Sequence, residues 1–197
     1  MSEKLNRREV VAALLHERSD LLVVAGLGAP AYDVAACGDS PRDFPLWGAM
    51  GGAAMIGLGL ASAQPQQRVL VLTGDGEMLM GLGSLATIGT QRPPNLRIVV
   101  LDNERYGETG QQRTHTGMGV DLTAVAQACG IAHATTIHHA ATLPDLRHAI
   151  HTLNDTLFAV IKVSPVTEPK VLPPRDGPFL THRFRTALLG ERVAVNG

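Results

Sequence analysis

Aromatic residues make up only 4% of this 197-residue chain. With few large rings, its layers must pack through aliphatic and small side chains, which brings backbones close together. Cysteine is almost absent: Cys37 and Cys129 are far apart and lack CxxC spacing. They fit buried thiols in a reducing compartment better than a disulfide or a cysteine-held cluster. Neither charge dominates, the formal net charge being −1. There is no electrostatic case for a nucleic-acid surface. Long hydrophobic runs are missing too. The most apolar stretch, AMGGAAMIGLGLASA at 49–63, is too short and too glycine-rich to span a bilayer. The first residues show no cleavable signal pattern. The expectation is a soluble cytoplasmic protein with no nucleic-acid or membrane partner.

What is present is 45% hydrophobic residues and 21 glycines, in a length that suits one domain with a substantial core. Helical spacing of Val10, Val11, Leu14 and Leu15 predicts a helix from about Asn6 to Glu17. LLVVA (21–25), RVLVLT (68–73), LRIVVL (96–101), HATTI (133–137) and LFAVIKV (157–163) read as strands. Pro30 opens a helix through Ala35, and CGDSPRDFP (37–45) reads as loop. Helices are expected at 50–63, 80–91, 122–130 (capped by Asp121 and closed by Gly130) and near 144–153. Residues 103–120 form a polar loop. This alternation predicts an α/β fold: a doubly wound parallel sheet with helices on both faces. Five of the 12 prolines fall between Pro165 and Pro178, so residues 164–197 read as a proline-rich arm. A short helix is expected near Arg183–Leu189, and the arm should pack on the domain or on a partner subunit.

The chemistry concentrates at two strand ends. One apolar run closes in Gly74-Asp75-Gly76, and another delivers Asp102-Asn103-Glu104. Asp75 and Asn103 stand 28 positions apart, the length of one βαβ crossover. Both oxygens can therefore reach the same edge of a parallel sheet. Two hard oxygen ligands beside a glycine with bare backbone N–H groups make a site for Mg²⁺ on phosphate oxygens, which implies a diphosphate.

Three ordered segments, LWGAMGGAAMIGLGLA, VLVLTGDGEMLMGLGSLATI and IVVLDNERYGETGQQ, cover roughly residues 40–120. Together they resemble the diphosphate-binding domain of thiamine diphosphate (ThDP) enzymes. Within that family the sequence is most similar to the small subunit of sulfopyruvate decarboxylase and the C-terminal half of phosphonopyruvate decarboxylase. The resemblance implies a ThDP-binding domain over residues 1–163 and a Mg²⁺ ion held by Asp75, Asn103 and the Arg105 carbonyl. It implies that Gly74, Gly76 and Glu77 meet the diphosphate through backbone groups, and that Gly28 and Ala29 touch its terminal phosphate. Gly48 and Met50 fall where the family meets the aminopyrimidine, Met50 as the apolar wedge that bends the cofactor. Tyr106 and Gly107 belong to the same surroundings, in a loop through Gln112 that is a candidate for substrate contact and a lid.

The chain departs from the family in two places. Asp102 stands where Asn is frequent, and Glu77 stands where Ser is frequent. A second carboxylate near a diphosphate is expected to turn toward solvent or an arginine. The resemblance also implies a missing piece. These enzymes activate the cofactor with a glutamate from a pyrimidine-binding domain, for which this chain has no room. A separate pyrimidine-binding subunit is therefore expected, in an α₂β₂ or larger assembly acting on a small 2-oxo acid.

Other readings stay open. His115 is a candidate proton donor or a solvated loop histidine, and Arg113 a candidate contact for a sulfonate or phosphonate. His148 and His151 are three apart on a helix but lack an acidic or cysteine partner at ligand spacing. Gly26–Ala31 matches the G-x-G-x-x-A dinucleotide fingerprint, making a Rossmann-type NAD-binding protein the rival; a proline-rich loop follows it, not a strand ending in an acid. Within ThDP chemistry the rivals are an acetolactate-forming carboligase and the β-subunit of a 2-oxo acid:ferredoxin oxidoreductase. A non-enzymatic partner that kept the fold is the third class.

Overall fold

A computed structural model describes residues 4–191. In chain order the elements are α1 (Arg7–Leu15), β1 (Leu22–Ala25), α2 (Ala29–Ala36), β2 (Asp43–Pro45), α3 (Ala53–Ala63) and β3 (Val69–Gly74). Next come α4 (Asp75–Met80), α5 (Ser84–Gln91), β4 (Leu96–Asp102), β5 (Arg105–Tyr106), β6 (Gln112–Arg113) and α6 (Leu122–Ala128). The chain continues through β7 (His133–Ile137), α7 (Leu143–Thr152), β8 (Leu157–Lys162) and α8 (Gly177–Leu189). Six strands form one parallel sheet in the order β2-β1-β3-β4-β8-β7.

The continuous apolar runs of the sequence are explained by burial of the sheet on both faces. Successive residues of a strand feed opposite layers. Val23, Leu70, Val99 and Ala159 pack with side chains of α1, α2 and α7. Their neighbours Leu22, Val71, Ile98 and Phe158 pack with α3, α5, α6 and Phe184 of α8. Small residues set how close these layers come. A Cβ on Gly57 would lie 2.2 Å from Val71 Cγ2, and one on Gly89 would lie 1.8 Å from the Cys129 carbonyl oxygen. The fold is the doubly wound α/β sheet expected.

Connectivity positions the site. From β1 the chain moves outward to β2, whereas β3 lies on the other side of β1 and leads on to β4. The connections leaving β1 and β3 thus part in opposite directions, opening a crevice at the carboxyl ends of these strands. In β3 and β4, Gly74 pairs with Leu101, so Asp75 and Asn103 emerge beside each other at that edge.

Four local expectations are corrected. Residues 37–45 are not all loop, because Asp43–Pro45 add a parallel edge strand to β1. Asp and Pro disguise it, and Asp43 is held at its start by Arg18 at 2.6 Å. Within the Gly-Asp-Gly turn Gly74 ends β3 while Asp75 and Gly76 already open α4, and glycines at 81 and 83 separate α4 from α5 where one helix at 80–91 was expected. The polar 103–120 segment contains an antiparallel β5–β6 hairpin and a 3₁₀ turn at Thr116–Met118. The last helix begins at Gly177, capped by Asp176 accepting from Phe179 N–H at 3.0 Å. Residues before it cross the domain, where Trp47 Nε1 donates to the Pro174 carbonyl at 2.7 Å. Phe184 then meets Phe44 with ring centroids 5.4 Å apart.

Candidate functional site

The crevice holds a cavity of about 190 Å³. Ala29, Met50, Gly74, Asp75, Gly76, Glu77, Asn103, Arg105, Tyr106 and Gly107 all line it. Gly28 and Gly48 do not, although Gly28 (φ +79°) stands at the entry to α2, against Glu108. Gly48 is exposed, as is His115, which lies outside the cavity lining. Above Gly76 the side chains of Tyr106 and Met50 converge: an added Cβ there would be 2.5 Å from Tyr106 Cε1 and 3.6 Å from Met50 Cε.

Asp75 is the first residue of α4 and only 2% exposed. Its Oδ2 accepts hydrogen bonds from Thr114 Oγ1 at 2.5 Å and from Thr116 Oγ1 at 3.2 Å. Thr116 Oγ1 also lies 2.8 Å from Asp102 Oδ1. One hydroxyl proton cannot serve both acids. Burial, opposed by the threonine hydrogen bonds and reinforced by the charge of Asp102, pushes the Asp75 carboxyl up to about 6. Among the described residues no cation forms an ion pair with it, and none is among the main influences on its acidity. A buried carboxylate served only by hydroxyls and its own backbone is electrostatically incomplete, which fits a site built for a positive ion.

Asp102 is treated differently. Lys162 Nζ donates to its Oδ2 at 2.7 Å and to Glu104 Oε1 at 3.1 Å, so its negative charge is already balanced. Asn103 closes an Asx turn, its Oδ1 accepting from Arg105 N–H at 2.9 Å. Glu104 sits between them with φ +64°. This turn aims the residues after β4 back over the cavity. Among the described residues, no three histidine, cysteine or acidic side chains gather as a metal cage. A cation at Asp75 would therefore draw on neutral oxygens and on its ligand's phosphates.

Glu77 turns neither to solvent nor to an arginine, contrary to expectation. It is 4% exposed and points inward, accepting from Thr73 Oγ1 at 2.8 Å and Ala53 N–H at 3.3 Å. Its Oε2 fills the space that a Gly26 side chain would need, a Cβ there falling 1.8 Å away. This explains Gly26 without a dinucleotide. The strand after α2 carries its acid, Asp43, at its start and bound to Arg18, so the Rossmann reading lacks its ribose ligand.

The sequence reading missed Thr114, Thr116 and Lys162. The Thr-His-Thr alternation was the available signal, since two buried hydroxyls flank an exposed histidine with period two. Also missed were Arg7, Tyr32, Glu168 and Lys170, which reach the cavity from the N-terminal helix, from α2 and from the arm. The exposed hairpin is tied to that arm by Lys170 to Glu108 at 2.9 Å. Arg113 is exposed and donates to the Gly117 carbonyl.

Comparison with known proteins agrees with this geometry. The chain is 44% identical over 115 residues to sulfopyruvate decarboxylase subunit beta of Methanocaldococcus jannaschii, a match covering 58% of this chain and 61% of that one. It is 44% identical over 133 residues to phosphonopyruvate decarboxylase of Streptomyces viridochromogenes, covering 68% of this chain and 32% of that one. It thus spans only part of the length of each relative. The crystal structure of benzoylformate decarboxylase from Polynucleobacter necessarius superposes with a TM-score of 0.67 at 20% identity, covering 84% of this chain and 34% of that one, and shares the fold. The family model described as "Thiamine pyrophosphate enzyme, C-terminal TPP binding domain" matches residues 32–163. That match takes in most of the sheet and both strand ends that frame the cavity, and the chain belongs to the thiamine pyrophosphate enzyme family, whose C-terminal TPP-binding domain it carries.

Proposed function

We propose that this chain is the diphosphate- and Mg²⁺-binding subunit of a heteromeric ThDP-dependent 2-oxo acid decarboxylase. The substrate class is a short 2-oxo acid with a second anionic group, such as sulfopyruvate or phosphonopyruvate. The observation that carries the reading is Asp75, a buried carboxylate with no ion-pair partner among the described residues, delivered with Asn103 into one cavity by adjacent parallel strands. In this reading Asp75, the Asn103 side-chain oxygen and the Arg105 carbonyl would hold Mg²⁺. Backbone N–H groups of Gly76 and Glu77 would hold the diphosphate, with Gly28 and Ala29 beside its terminal phosphate. Thr114 and Thr116 fix the Asp75 carboxylate toward the cavity. Lys162 balances Asp102, so the second acid does not compete for the metal.

Bound ThDP supplies the electron sink that lets a 2-oxo acid lose CO₂. Met50 and Tyr106 shape the apolar wall that such a cofactor would lie against, and the Lys170–Glu108 pair ties the hairpin to the arm beside it. The activating glutamate would come from a pyrimidine-binding partner subunit. Exposed Met50, Met55 and Met80 support a partner on this side, since adaptable apolar side chains suit an interface. A cytoplasmic site of action is part of the same proposal. Among the described residues, no helix is long and apolar enough to cross a membrane.

The deciding experiment is titration of ThDP into the chain, alone and with its partner, with and without Mg²⁺, followed by product analysis with sulfopyruvate and phosphonopyruvate. Mg²⁺-dependent ThDP binding is expected with or without the partner, and aldehyde release only in the assembled complex. Turnover by the isolated chain, or ThDP binding indifferent to Mg²⁺, would overturn the assignment.

A further inference from the structure

Glu77 is a buried acid that the proposed function uses only through its backbone. Its side chain sits where three segments of the cavity wall meet. Thr73, two residues before Asp75, donates its hydroxyl to Oε2, and Ala53 donates its N–H to Oε1. The backbone amides of Leu27, in the β1–α2 turn, and Gly51, next to Met50, also lie where they favour its charged form, against the burial that raises it. Every partner is thus a neutral donor, and together they come from three stretches of chain around the cavity. A carboxylate gathering several backbone N–H groups makes charge-assisted bonds that hold loops more tightly than neutral contacts do. It also needs room, and Gly26 provides it by having no side chain.

We propose that the Glu77 side chain is a positioning residue for the cofactor. It clamps the Leu27–Ala29 turn and the Met50–Ala53 loop onto the end of β3, and so sets the distance from the phosphate-facing turn and the Met50 wedge to Asp75. Gly26 is the seat of that clamp. The proposal rests on the ThDP reading for the identity of the ligand, but the clamp itself belongs to the free protein.

The test uses the full chain and two variants, Glu77→Gln and Gly26→Ala. Glutamine keeps the shape but turns N–H₂ toward groups that are themselves donors; alanine at 26 drives a methyl group into the carboxylate. Backbone hydrogen exchange is measured without ligand, and ThDP affinity with Mg²⁺ well below the melting midpoint. Exchange at Leu27 and at Gly51–Ala53 is expected to quicken about tenfold or more, with ThDP affinity falling by a similar factor. Unchanged exchange at those amides overturns the clamp. Faster exchange with unchanged affinity overturns the positioning role and leaves a structural one. A wild-type chain that binds no ThDP overturns the functional reading instead, and the exchange result still decides whether the clamp exists. Should Glu77→Gln fail to fold, Gly26→Ala answers both questions, because it displaces the carboxylate without removing it.

Discussion

Asp75 combines deep burial, two threonine hydroxyls and a neighbouring acid, and its carboxyl titrates near 6 where an unfolded chain would titrate near 3.8. Between those values the folded protein binds more protons than the unfolded one, so stability falls as pH rises from about 4 to 6 and is level above. The shift corresponds to about 3 kcal/mol of destabilisation at neutral pH. Thermal melts of the free chain should show this loss, and Mg²⁺ with ThDP should restore stability at pH 7.5 more than at pH 5. Asp75→Asn removes the uncompensated charge. It should raise the melting midpoint of the free chain at pH 7 by several degrees while weakening Mg²⁺-dependent ThDP binding about 100-fold or more. A variant that loses both stability and binding would contradict this account of the residue. Asp75 and Asn103 were legible as a pair because strand ends and spacing are linear features. The threonines that govern Asp75 were not, because their contacts span 39 and 41 residues.

Among the elements, β4 shows how polar chemistry can hide inside an apolar run. Arg97 lies 1% exposed in the middle of the sheet. Its guanidinium donates to the carbonyls of Ile150 at 3.1 Å, Pro94 at 2.7 Å and Asp155 at 3.2 Å, and to that of Leu153. Burial, with a small push from Arg68, lowers it to about 10, so it stays charged at any physiological pH. These bonds anchor the end of α7 to the sheet. Arg97→Met keeps the length but strands the carbonyls, and should cost about 2–4 kcal/mol in denaturant unfolding. Of the elements themselves, β1, β3, β4 and β8 were readable because burial on both faces demands long apolar runs. Helix α6 was readable from its cap, Asp121, which accepts from Thr123 and Ala124 N–H. The edge strand β2 and the β5–β6 hairpin were not, since short strands of polar residues depend on the partner strand beside them.

Taken as a whole, the chain presents an open cavity at the carboxyl ends of its central strands, with exposed methionines beside it. Met80 is 65% exposed and packs beside Gly51, next in sequence to Met50, at the cavity edge. If this rim meets the pyrimidine-binding subunit, Met80→Lys should weaken assembly about tenfold or more in sedimentation experiments while leaving the melting midpoint of the free chain within a degree or two. The same substitution should lower turnover at limiting, but not saturating, partner concentration. Equal losses at both concentrations would place Met80 in the chemistry instead.

Periodicity, glycine placement and the order of three motifs determined the architecture, the family and the two strand ends that carry the site. Those features are local in the chain, and parallel strands with helical crossovers leave few ways to arrange them. Only the folded molecule decided what became of the two acids that depart from the family pattern. Asp102 is balanced by Lys162, 60 residues later, and Glu77 is received by amides from segments 24 to 50 residues earlier. A buried charge is settled by whatever donors surround it in space, and no one-dimensional pattern records which donors those are.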